Sequence, residues 1–287
     1  MKDRALVLGG GGVAGIAWMT GLVFGISERG IDLRTAEMML GTSAGSAVAA
    51  QLGSQLSLKD LYERQVDPAR QAREIAPDPH LLELFQLALS APATPIDPVE
   101  RTRAIGRWAL KAPTIAEQER RSVIAERLPS HSWPNSLLLL VAVDTDTGDP
   151  MIFDRFSGTD LVDAVSASCA VPGVWPPVTI NGRRYMDGGA RSSDNADLAK
   201  GYARSLILSP MGTSLPEMTG GNLKRQIEIL EAGGGKAHVI EPDNRSRSAI
   251  GSNPLSPETR IPSAEAGRRQ GLAVANDVAS FWGFTFE

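Results

Sequence analysis

Three short stretches hold the residues best placed to do chemistry. In Leu40-Gly41-Thr42-Ser43-Ala44-Gly45-Ser46, a G-x-S-x-G pattern puts Ser43 between an apolar run, Met38-Met39-Leu40, and a run of small residues from Ser46 to Leu52. A strand that turns sharply into a helix pushes its turn side chain outward, and Gly41 and Gly45 remove the Cβ clashes such a turn creates. The helix beginning just after Ser43 also aims unpaired N–H groups at negative charge forming on an attacked carbonyl. That is the chemistry of a serine nucleophile, although the same five residues also make a plain tight turn.

The second stretch is Gly9-Gly10-Gly11-Gly12-Val13-Ala14-Gly15, between a strand pattern at Arg4–Leu8 and an apolar helix from Ile16 to Ser27. Backbone N–H groups in such a loop can converge on one oxygen. Gly10, Gly12 and Gly15 also fit the dinucleotide-binding G-x-G-x-x-G, with Asp32 loosely in the place of a ribose-binding acid. The next strand, however, ends in Gly41-Thr42-Ser43 instead of an acid. A purely structural turn would not require four consecutive glycines, given their conformational entropy. An oxyanion hole facing Ser43 accounts for both stretches together. In the third stretch, Asp187 stands just beyond a strand end, before Gly188 and Gly189. Alone it reads as an Asp-Gly turn; beside the other two it becomes the partner Ser43 otherwise lacks.

Alternating strands and helices must position these residues, which predicts an α/β fold: a three-layer α/β/α sandwich with a mainly parallel central sheet. Ser136–Asp144 is a continuous apolar strand, as strands covered on both faces tend to be. Thr145–Asp149 turns it into a hairpin with Pro150–Phe153, so Asp144 and Asp146 read as turn-formers. Asn181-Gly182 marks a second hairpin ahead of Asp187. Residues 54 to about 135 read as a helical, cap-like insertion within a single domain spanning 1–287. Within it, 79–91 is an apolar helix, either buried or a lid, and Arg101, Arg103, Arg107 and Lys111 read as a solvated basic face in preference to an anionic-lipid contact. In the tail, Leu223–Leu230 reads as a helix, Lys236–Ile240 as a strand, Asp243–Pro262 as a polar mobile loop, and Ala264–Trp282 as a helix closing on the sheet.

Composition narrows the classes further. With 42% hydrophobic and 22% charged residues the chain is an ordinary globular protein, and a net charge of −4 gives no support to nucleic-acid binding. Cys169 is the only cysteine, so there is no internal disulfide and no multi-cysteine metal site. The N-terminal apolar run is too short for a signal peptide, which predicts a cytoplasmic protein. No apolar stretch approaches the roughly 20 residues needed to span a bilayer, so any membrane contact is peripheral. Oligomeric state leaves no mark in the sequence.

Gly10-Gly11-Gly12-Val13-Ala14-Gly15, Gly41-Thr42-Ser43-Ala44-Gly45 and Asp187-Gly188-Gly189, with the run Ser168 to Pro177, resemble in type and order the motifs of the patatin-like acyl hydrolases. The resemblance covers residues 4–52 and 137–210. It implies a serine acyl hydrolase, a lipase or esterase that could be of the phospholipase A type, acting on a lipid or other acyl ester with no cofactor or metal. Ser43 would be the nucleophile, Asp187 the proton acceptor, Gly10, Gly11 and Gly12 the oxyanion hole, and Gly41 and Gly45 the elbow. The family's Arg or Lys in the glycine loop is Ala14 here, so the resemblance implies acyl-ester hydrolysis more firmly than a phospholipid preference. An ordinary aspartate, with a pKa of about 3.9, is a poor base toward a hydroxyl, so the pocket should raise that of Asp187 by desolvation. Two alternatives stand beside this: an α/β-hydrolase triad of Ser43, Asp187 and His238, which occur in that family's order, and a catalytically silent lipid-binding protein.

Overall fold

The computed structural model of the chain describes residues 2–90, 97–212 and 222–284, the side chains of 85–90 apart. Its strands are β1 (Lys2–Leu8), β2 (Met38–Thr42), β3 (Leu137–Asp144), β4 (Pro150–Phe153), β5 (Val178–Ile180), β6 (Arg183–Asp187), β7 (Tyr202–Leu208) and β8 (Lys236–Ile240). Helices α1 (Gly12–Ser27), α2 (Ala44–Leu52), α3 (Leu58–Val66), α4 (Pro79–Ser90), α5 (Pro98–Ala109) and α6 (Glu117–Arg127) precede β3; α7 (Leu161–Ser168), α8 (Leu223–Ala232), α9 (Asn244–Ile250) and α10 (Arg260–Trp282) follow it.

The strands form one sheet in the order β5-β6-β3-β2-β1-β7-β8, with β4 also paired to β3. Its centre, β3-β2-β1-β7-β8, is parallel, while β4 and β6 run antiparallel to β3. Strand alternation sorts the core onto two faces. Leu6, Leu8, Met39 and Leu140 pack beneath α1, α2, α7 and α10, whereas Ala5, Val7, Leu40 and Ile207 face a thinner layer of α8 and the turn at Ala196–Ala199. The expected sandwich is therefore present, with one helical layer much thicker than the other.

One detail of strand pairing brings the chemistry together. Leu140 and Val141 pair with β2 and with β4, so those strands lie on opposite edges of β3; Ala142 and Val143 pair with β4 and with β6. β2 and β6 therefore share one edge of β3 and meet end to end, Thr42 opposite Val141 and Asp187 opposite Ala142. The sequence shows neither this edge nor the approach.

Two readings of the tail need correction. Asp243–Pro262 contains α9, whose cap is the Asp243 carboxylate accepting from Ser246 N–H, and the following loop is tied down by Ala14 N–H donating to Pro254 carbonyl at 3.0 Å. The last helix begins at Arg260, and its main partner is α1 instead of the sheet. The segment read as a lid is helical over Pro79–Ser90, with Leu81 buried; the side chains of 85–90 and residue 91 lie outside the described residues. No helix among the described residues is long and apolar enough to cross a membrane.

Candidate active site

Ser43 occupies the turn between β2 and α2 at φ 53°, ψ −117°, a strained backbone for a residue with a side chain. Its surroundings hold it there. Ser43 carbonyl accepts from Ser46 N–H at 2.9 Å, from Ser46 Oγ at 2.6 Å and from Cys169 Sγ at 3.1 Å, while Ser43 N–H donates to Ser168 Oγ at 3.0 Å. The elbow glycines are steric necessities: a Cβ on Gly45 would sit 1.8 Å from Leu8 carbonyl oxygen, and one on Gly41 would sit 2.6 Å from that of Gly45. Ser43 itself is 8% exposed.

Asp187, at the end of β6, is buried. Its Oδ1 accepts from Gly189 N–H at 2.7 Å, and its Oδ2 is buried with no hydrogen-bond partner. Burial pushes this carboxyl up to about 7, against the pull of the neighbouring Ser43 hydroxyl and the Gly189 N–H. The Ser43 hydroxyl is near enough to lower the carboxyl's pKa, although no hydrogen bond of ordinary geometry joins the two. Catalytic hydrogen bonds are often loose before substrate arrives. Asn195 fastens the two strand ends: its Nδ2 donates to Thr42 Oγ1 at 3.0 Å and to Gly188 carbonyl at 3.3 Å.

The glycine loop faces the elbow, and a Cβ on Gly10 would lie 3.6 Å from that of Ser43. Of the three glycines assigned to the oxyanion hole, Gly10 has its N–H engaged by Ser193 carbonyl at 2.8 Å. The N–H groups of Gly11, Gly12 and Ala44 donate to no acceptor among the described residues. Gly12, Ser43 and Ala44 line one pocket, together with Trp175, Leu255 and a cluster of charged side chains around Glu74. Ala14 is fully buried.

The structure does not bring His238 to this site. It lies three strand spacings from β2, about 14 Å, in register with Met39, and its ring packs against Phe281 at 5.2 Å. Asp32 accepts from Arg34, and Asp144 accepts from the N–H groups of Asp146 and Thr147, the turn-forming role expected of it. No group of three His, Cys, Asp or Glu side chains that could hold a metal occurs among the described residues. The clamps supplied by Ser168, Cys169 and Asn195 were not assigned from sequence; their signal is small polar residues adjoining the Ala170–Pro177 run and the Asp-Gly-Gly motif.

Among solved structures the chain is similar to VipD from Legionella pneumophila, at 14% identity and a TM-score of 0.44, covering 96% of this chain and 67% of that one. It is also similar to the type III effector protein ExoU, at 18% identity and a TM-score of 0.44, covering 96% of this chain and 53% of that one, so it spans about half of ExoU's length. No curated protein matches it. The glycine loop, the elbow and Asp187 all fall within residues 6–200, which match the family model described as patatin-like phospholipase. That match takes in more than half of the sequence, and the chain belongs to the patatin-like phospholipase family.

Proposed function

We propose that this protein hydrolyses acyl esters of lipids through a Ser43/Asp187 dyad and an acyl-enzyme intermediate. Family membership implies a lipid acyl hydrolase. The observation that carries the finer reading is the end-to-end meeting of β2 and β6, which leaves Ser43 beside a buried carboxyl pushed up to about 7. In this scheme Ser43 Oγ attacks the acyl carbonyl as Asp187 takes its proton, and the tetrahedral oxyanion accepts from Gly11, Gly12 and Ala44 N–H groups. Collapse expels the alcohol, protonated by Asp187. Water, deprotonated by the same carboxylate, then releases the acyl group as acid and restores Ser43. Gly10 shapes the loop without donating. The described parts of 54–135 act as a cap, with Glu74, Arg120 and Arg127 lining the Ser43 pocket, and any approach to a lipid surface is peripheral.

Hydrolysis of p-nitrophenyl acyl esters tests the reading. Activity abolished by Ser43→Ala and by Asp187→Asn but retained in His238→Ala, all three folded, is the expected pattern. Activity that survives in Ser43→Ala, or is lost in His238→Ala, contradicts it.

A further inference from the structure

The pocket that holds Ser43 has a second wall of unusual charge. Glu74, from the irregular stretch after α3, is buried among three arginines: its Oε1 accepts from Arg120 at 2.7 Å, its Oε2 is paired with Arg127, and Arg260 lies 3.6 Å from the same oxygen. All four side chains are at least nine-tenths buried. Three guanidiniums thus face one carboxylate, leaving two positive charges in excess. No other carboxylate among the described residues pairs with any of the three. Cys169, close to Arg127, does not supply the missing charge, because burial pushes its thiol up and keeps it neutral. The centroid of the Trp175 ring lies 4.0 Å from Arg120 Cζ, a close cation–π contact that supplies no negative charge.

Uncompensated buried charge costs several kcal/mol per ion, so a cluster that existed only to join elements would be expected to balance. Arg120 also keeps a buried Nε with no hydrogen-bond partner. Arg120 and Arg127 line the pocket of Ser43, Ala44 and Gly12, whereas Arg260 lines a neighbouring cavity behind Glu74.

Resting on the acyl-hydrolase reading for its place in the reaction, we infer that Arg120 and Arg127 form a phosphate-binding subsite beside the nucleophile, which takes a phosphomonoester on the alcohol part of the acyl ester. A phosphomonoester carries about −1.5 to −2 charge at pH 7, matching the excess, and guanidinium groups bind its oxygens by charge-assisted hydrogen bonds. The partition by Glu74 makes Arg120 and Arg127 the contacting pair and leaves Arg260 to act at a distance.

The test uses the full chain and two readouts. In Ser43→Ala protein, inorganic phosphate should raise Tm above an equal ionic strength of chloride. Adding Arg120→Met should weaken the apparent phosphate affinity about tenfold, with Tm in chloride unchanged or higher, whereas Arg260→Met keeps most of the response. In protein with Ser43 intact, the kcat/KM ratio of a phosphorylated to a neutral monoacylglycerol should fall about tenfold with Arg120→Met, through KM. A phosphate shift with that substrate preference assigns the subsite to the lipid's own phosphate; a shift without the preference assigns it to free phosphate. The inference is overturned if chloride and phosphate act alike or if Arg120→Met keeps the full response. Because the Tm arm needs no turnover, failure of the hydrolase reading leaves it standing. An active hydrolase blind to phosphate fails the subsite alone.

Discussion

Two buried carboxyl groups border Ser43, the proposed nucleophile, and are driven in opposite directions. Asp187 meets no cation, and burial pushes it up to about 7; Glu74 is equally secluded, but the Arg127 and Arg120 guanidiniums outweigh burial and hold it at about 2. Burial alone therefore does not decide whether a carboxylate is a base or an anchor. Asp187 is left poised to exchange a proton near neutral pH, as its proposed role of general base requires. Glu74 is ionised throughout the neutral range and fastens the stretch between α3 and α4 to α6 and α10.

The contrast can be broken from either side. Asp187→Asn should lower kcat/KM by about 10³-fold or more, since it removes the proton acceptor and keeps the shape. The same variant should gain stability at pH 8, read as a higher Tm, because a costly buried charge is gone. Glu74→Gln should do the reverse to the fold: three buried guanidiniums lose their only carboxylate, and denaturant unfolding should show a loss of about 3–5 kcal/mol. A loss below about 1 kcal/mol would mean the arginines are hydrated in solution.

Proton linkage gives a smaller, graded effect. Asp187 is ordinarily near 3.8 and about 7 in the fold, so the folded protein holds a proton that the unfolded chain has released. Its contribution to stability is present below pH ~4 and is lost as pH rises through ~7. Asp194, a second buried carboxyl lying against Gly9, is also pushed up to about 7 by burial and adds to the same slope. Glu74 has the opposite sign, its contribution being present above 4.5 and lost as pH falls toward 2. From these three groups stability should therefore peak at pH ~4 and decline toward pH ~7, less steeply in Asp187→Asn. Over that same decline kcat/KM should rise with a limb near pH 7, so activity and stability move in opposite directions. Smallest of all, His238→Ala should cost less than about 1.5 kcal/mol, the worth of its ring contact with Phe281.

The half of this contrast around Ser43 and Asp187 is legible in the sequence as a set of motifs that the fold brings together, and the charged half is not. Ser43, the glycine loop and Asp187 announce themselves because a strained turn, a close backbone approach and a strand-end acid each require particular residues within a few positions. What joins them depends on long-range pairing: β6 arrives antiparallel on the edge of β3 that β2 has vacated, which no local pattern encodes. The cluster around Glu74 is more hidden still, since its partners lie 46 and 53 residues away. The denser run of basic residues is Arg101–Lys111, where Arg107 pairs with Glu100 at the surface, while the inward-facing arginines sit on the next helix. A signal existed there, because Arg120, Val123, Ile124 and Arg127 follow the i, i+3, i+4, i+7 spacing of one buried face. The mobile loop expected at 243–262 failed for a related reason: polar residues there serve as caps, and Pro254 is tied to the glycine loop.

The most direct measurement is intact-mass analysis and peptide mapping after treatment with a lipophilic fluorophosphonate, on wild type, Ser43→Ala and Asp187→Asn. A single adduct on Ser43, absent from Ser43→Ala and formed much more slowly in Asp187→Asn, is the predicted result. Folded wild-type protein that stays unlabelled, or labelling of Ser43 at the same rate without Asp187, would contradict the dyad.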